Sequence, residues 1–82
     1  MLDNLYSMIK YLILAGNYKE AKAWADSHKV KPANYLYIFS IKNLVGYRFN
    51  ENQTELVMTG TYYKRSDLSA IMDNLVYNGF II

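Results

Sequence analysis

Residues 56–79 constrain the fold more than any other stretch. Leu56, Val57 and Met58 form a short run with no polar interruption, the pattern of a strand covered on both faces. Thr59-Gly60-Thr61 ends the run, and Gly60 permits a sharp turn or a close approach to the backbone. Ser66 then reads as a helix N-cap with Asp67 in the first turn. Leu68, Ile71, Met72, Leu75 and Val76 recur at spacings of three and four, which predicts a helix with one apolar stripe. Gly79 stands where a C-cap glycine stands, and Phe80-Ile81-Ile82 opens another apolar run. The stretch thus reads as strand, turn, helix, strand.

A chain of 82 residues reads as one domain, residues 1–82, with a small core. At 52% hydrophobic and 20% charged residues it belongs with folded globular chains rather than disordered ones. It has no cysteine. Disulfides, thiolate metal sites and cysteine nucleophiles are therefore excluded, and a reducing, cytoplasmic compartment is the expectation. The net charge of +2 allows a polyanionic partner without demanding one. The apolar stretch 8–16 is too short to span a bilayer and Lys10 interrupts it, so no membrane association and no signal peptide are expected.

Leu2, Leu5, Ile9 and Leu12 fall at helical spacing, yet residues 9–14 also read as a strand ending at Gly16; periodicity alone leaves both open. Asn17 is an N-cap candidate for a helix to about His28, with Tyr18, Ala21, Trp24 and Ala25 inward. Val30, flanked by lysines and followed by Pro32, fits a short edge strand. Residues 35–44 read as a third helix, although their aromatic and β-branched content makes a strand a competitor. Residues 46–53 are polar and read as a loop or hairpin turn.

Two pieces of the chain resemble a BRCT domain, the phosphate-recognising module of repair and replication proteins. Val57-Met58-Thr59-Gly60, Arg65, the 68–76 stripe and Gly79 are similar to the family's opening strand, Thr-Gly turn, basic residue, helix and glycine. Residues 11–14 would be its third strand, and Lys19-Glu20-Ala21-Lys22-Ala23 resembles the Lys-x-x-x-Ala that opens its second helix. Val30 would be the fourth strand and residues 32–44 the last helix. The ligase-like branch is the nearer resemblance, because the tryptophan usual in the last helix is absent. The order is permuted, and joining Ile82 to Met1 restores that of the family. The resemblance therefore implies a small three-layer BRCT-like α/β domain with a four-stranded parallel sheet, circularly permuted to β-α-β-α-β-α-β. The alternative fold is a winged helix, with helices near 2–15, 18–29 and 33–44 and a hairpin of 45–49 with 55–60. A swapped homodimer is a further arrangement that such an order allows.

Carried over residue by residue, the resemblance implies phosphate binding by Thr59, Gly60 and Lys19. A hydroxyl, a backbone N–H and an ammonium are suitable donors for that ligand. Lys22, Lys64 and Arg65 would add positive charge around it. Catalysis is not expected. His28 is the only histidine, no serine stands in a nucleophile-elbow context, and no metal-ligand spacing occurs, so neither metal nor cofactor is expected. The expected function is a non-catalytic module that recognises phosphate on DNA, such as a 5′ end, in replication or repair. The alternative is a protein-interaction module for a phosphopeptide or a host protein, in the manner of a small viral effector.

Overall fold

A computed structural model describes residues 9–44 and 53–80. Its centre is strand β1, Tyr11–Leu14, paired in parallel with β2, Tyr35–Tyr37, on one side and with β3, Glu55–Met58, on the other. The sheet order is β2-β1-β3. Leu12 faces Leu36 and Leu56 in register, and Ile13 faces Tyr37 and Val57. A strand flanked on both edges and covered on both faces must be apolar throughout, and Leu12, Ile13, Leu14 and Ala15 are all fully buried.

The pleat sends alternate residues to opposite faces. Leu12 and Leu14, with Ile38, pack against Ile71 and Leu75 of helix α2, Leu68–Tyr77, and against Leu44 and Phe80. Ile13 and Ala15, with Tyr35, pack against Ala21 and Ala25 of helix α1, Tyr18–Ser27. Each face of the sheet thus carries one helix. The small alanines let α1 lie close to the sheet, and Trp24 closes its outer flank with its ring edge-on to Tyr11 at 5.3 Å between centroids.

Both helices have identifiable ends. The Asn17 side chain accepts the Glu20 N–H at 2.9 Å, capping α1. His28 ends the same helix, stacked on Trp24 at 4.2 Å with its Nδ1 at 2.9 Å from the Trp24 carbonyl. Asp67, rather than Ser66, is the N-cap of α2. Gly79 follows α2 at φ 94°, a left-handed conformation that suits glycine.

Three expected elements differ. The sheet has three strands among the described residues, not four. Val30 is in no strand; its N–H closes the end of α1 on the Ala25 carbonyl at 2.8 Å, helped by a left-handed Lys29 at φ 57°. Residues 35–44 are not a helix. Tyr35–Tyr37 form β2, and a 3-10 turn at Ile41–Asn43 follows. The free edge of β1 and the β-favouring Tyr-Leu-Tyr-Ile-Phe sequence together outweigh the helical spacing. Ser40 and Asn43 then form a capping box that turns the chain. Phe80 is not in a strand, and the remainder of the expected terminal strand, residues 81 and 82, lies outside the described residues. The permuted four-stranded BRCT-like architecture is therefore replaced by a smaller three-stranded one. The winged helix is overturned by the wholly parallel pairing and by the strand at 11–14; its hairpin partner, 45–49, lies outside the described residues.

Candidate functional site

The chain leaves the carboxyl end of β1 toward one face of the sheet, as α1, and that of β3 toward the other, as α2. Between such diverging connections a parallel sheet has a crevice at its strand ends, where ligands of α/β proteins bind. Here the crevice lies between Gly16 and residues 59–61.

A side chain of the protein already occupies it. Glu20 reaches back from the first turn of α1, and its Oε1 accepts the Gly16 N–H at 2.8 Å and the Thr61 N–H at 2.9 Å. The Thr61 hydroxyl donates to the same carboxylate, 3.1 Å from Oε1 and 3.0 Å from Oε2. These bonds hold the Glu20 carboxyl below its ordinary value. The Thr61 N–H contributes most, partial burial opposes it, and the Thr61 hydroxyl, the Gly16 N–H and the Lys64 charge add to the lowering. The close approach also explains two glycines. A Cβ at Gly16 would stand 2.6 Å from Glu20 Oε1, and one at Gly60, which has φ 62°, would stand 2.6 Å from the Glu20 carboxyl carbon.

The expected phosphate ligands are dispersed around this contact. Thr59 donates its N–H to the Leu14 carbonyl at 3.0 Å, extending the β1–β3 ladder. Gly60 is at the crevice, against the Glu20 carboxylate. Lys19 is exposed on the first turn of α1. Lys22 is exposed and paired with Asp26 at 2.8 Å, which raises its pKa. Lys64 is exposed beside the crevice.

Arg65 is not a supporting surface charge. Its guanidinium donates to the carbonyls of Ala15 at 3.1 Å, Ile38 at 2.6 Å and Phe39 at 2.9 Å. It also grips both oxygens of Asp67, at 2.9 and 3.0 Å. The side chain is 8% exposed. Arg65 thus ties the exits of β1 and β2 to the entry of α2. Asp67 is held below its ordinary value, chiefly by its hydrogen bond to Arg65.

Around this clasp the rim carries aromatic rings. Tyr37, under the Arg65 guanidinium at 5.8 Å, meets Tyr18 edge-on at 5.9 Å and Phe39 at 6.4 Å. Tyr62 and Tyr63 form a further edge-on pair at 5.7 Å. Beside β2 lies a shallow groove of about 290 Å³ lined by Tyr18, Pro32, Tyr35, Leu36 and Tyr37. The Tyr35 hydroxyl at its base is pushed up to about 12 by burial and by its hydrogen bond with Tyr18.

Glu20, Thr61 and Asp67 are participants to which the sequence assigns no site role. The third position after the Asn17 cap is a capping-box position, which is a signal for Glu20. Its reach to Thr61, 41 residues away, has no local signature.

Fold and site together define a small parallel α/β domain with a self-occupied strand-end crevice and an aromatic, lysine-bearing rim. No family model matches the chain, and neither the curated proteins nor the solved structures contain a match. Among the described residues, no three His, Cys, Asp or Glu side chains gather as a metal site requires, and no helix is long and apolar enough to cross a membrane.

Proposed function

We propose that the protein is a non-catalytic DNA-binding module that holds backbone phosphates on the rim of the sheet's carboxyl ends. One observation carries the reading. Each of the three connections leaving a strand presents an exposed lysine: Lys19 after β1, Lys42 after β2 and Lys64 after β3. Glu20 and Asp67, the first carboxylates after β1 and β3, are engaged by Thr61, Gly16 and Arg65. The exposed charged side chains at these strand exits are accordingly the three lysines, with the Lys64 charge beside the Glu20 carboxylate. Because Glu20 fills the crevice, phosphate contacts are assigned to the lysines rather than to Thr59 and Gly60.

The test is fluorescence anisotropy of a labelled, 5′-phosphorylated oligonucleotide titrated with protein at several salt concentrations. Binding that weakens as salt rises is expected, and Lys42→Glu or Lys64→Glu should weaken it further. Absent binding, or binding indifferent to salt and to both substitutions, would sink the reading.

A second reading has its own observation, the groove beside β2. Among the described residues no strand pairs with the outer edge of β2. An extended peptide of a partner protein, phosphorylated or not, would add there as a further strand with a side chain in the groove. Nuclease-resistant co-purification of one protein, lost on substituting Leu36 or Tyr37, would favour this reading over DNA.

A further inference from the structure

We infer that the rim binds single-stranded nucleic acid by stacking unpaired bases on Tyr18, Phe39 and Tyr63; this rests on the nucleic-acid reading above. Phe39 is 74% exposed, Tyr63 61% and Tyr18 53%; the fourth exposed phenylalanine or tyrosine ring among the described residues, Tyr77, ends α2 away from them. The three do not lie at random over the surface. Tyr18 opens the helix that leaves β1, Phe39 lies two residues beyond the end of β2, and Tyr63 lies in the 3-10 turn after β3. All three therefore belong to the connections at the carboxyl ends of the strands. Tyr18 and Phe39 are linked through contacts with Tyr37, and the Arg65 guanidinium connects Tyr37 to the segment that carries Tyr63.

Each ring has an exposed lysine close in sequence: Lys19 next to Tyr18, Lys42 three residues after Phe39, and Lys64 next to Tyr63. This alternation suits one ligand chemistry. A single strand offers flat apolar faces to rings and, at each step, a phosphate to an ammonium group. A duplex keeps its base faces inside the stack and would engage the lysines alone. The exposed lysines favour an anionic ligand over a neutral peptide, and the ring beside each lysine favours nucleic acid over an acidic peptide. Adjacent strands lie about 4.8 Å apart, so the outer strand ends are separated by roughly 10 Å, the span of a short stretch of single strand. The lysines give a modest electrostatic component, and the rings must supply much of the affinity.

The experiment compares labelled oligo-dT, oligo-rU and a blunt duplex of equal length by anisotropy, with the full chain. Oligo-dT or oligo-rU should bind at least about tenfold more tightly than the duplex, and the two single strands show whether the sugar matters. Phe39→Ala and Tyr63→Ala should each weaken single-strand binding by about fivefold or more while leaving the salt slope unchanged. Phe39→Trp should retain binding. Lys42→Gln should instead reduce the magnitude of the slope by about one. Circular dichroism of each variant checks folding. Equal affinity for duplex and single strand, or alanine variants that bind like the parent, overturns the stacking inference while the DNA reading stands. No salt-sensitive binding to any of the three probes overturns both.

Discussion

Arg65 is the residue on which the strand-end geometry most depends. Its guanidinium meets three backbone carbonyls and a carboxylate from a position 8% exposed. Truncation removes a charge that Asp67 balances and leaves carbonyls of two strand exits without their donor. Arg65→Ala should lower the unfolding free energy by about 3 kcal/mol, measured by urea denaturation. Arg65→Lys should rescue little, because an ammonium cannot reproduce the planar fork. A variant within about 0.5 kcal/mol of the parent would show that the clasp is dispensable. Glu20 acts at the same scale but through pH. Its folded pKa lies below the ordinary 4.5, so its stabilising effect is fully present above that pH and is lost as the pH falls through the lower folded value. Glu20→Gln should therefore be less stable than the parent at pH 7, and the gap should close in strong acid. Urea midpoints for both proteins across that range check this, and a gap that stays constant with pH would refute it. Arg65 shows why sequence reading misassigns such residues. An arginine in a polar segment after a turn reads as surface charge, and only the meeting of Ala15, Ile38 and Phe39 reveals its burial.

At the scale of elements, legibility follows how local the determinants are. Helix α1 is visible in the sequence because its cap, Asn17, its alanines and its inward Trp24 all lie within one short segment. Helix α2 is visible through its stripe, although its cap falls on Asp67 rather than Ser66. The runs at 11–14 and 56–58 are legible as strand candidates, although periodicity alone leaves 9–14 open between strand and helix. Strand β2 is not legible. Residues 35–44 satisfy helical spacing, strand propensity and turn chemistry in overlapping windows. The choice is made by an external partner, the edge of β1, and by the Ser40–Asn43 capping box that stops the strand. Val30 is misread for a related reason. Lysine and proline flanks are features of an edge strand, but they equally suit the turn that closes a helix, and the Ala25 carbonyl takes the Val30 N–H first. The surroundings of the expected phosphate site are hidden for a different reason. The Thr-Gly turn is present, but its neighbourhood includes a carboxylate delivered from another element, and no reading of the turn alone can detect a competitor from 41 residues away.

For the molecule as a whole, β1 is the element through which every other part is connected. It pairs with β2 and β3, and its alternate side chains join the two cores that hold α2 and α1. Neither helix can remain docked if β1 is withdrawn, because each packs on a face that β1 largely provides. The edge strands and 3-10 turns, in contrast, can open while the rest persists. Stability should therefore be graded outward from the centre. In native-state hydrogen exchange, the amides of Leu12, Ile13 and Leu14 should exchange only through global unfolding, with protection free energies equal to that from urea denaturation. Amides in the Ile41–Asn43 and Tyr62–Lys64 turns should exchange faster, through local opening. Arg65→Ala sharpens the expectation, since the clasp joins the strand exits rather than the strand centres. It should increase exchange most strongly around residues 38–44 and 62–68, and lower the β1 values only by the global loss. If β1 instead opens before α1 in the parent protein, the two cores are independent, and the unity of this small domain must come from elsewhere than its central strand.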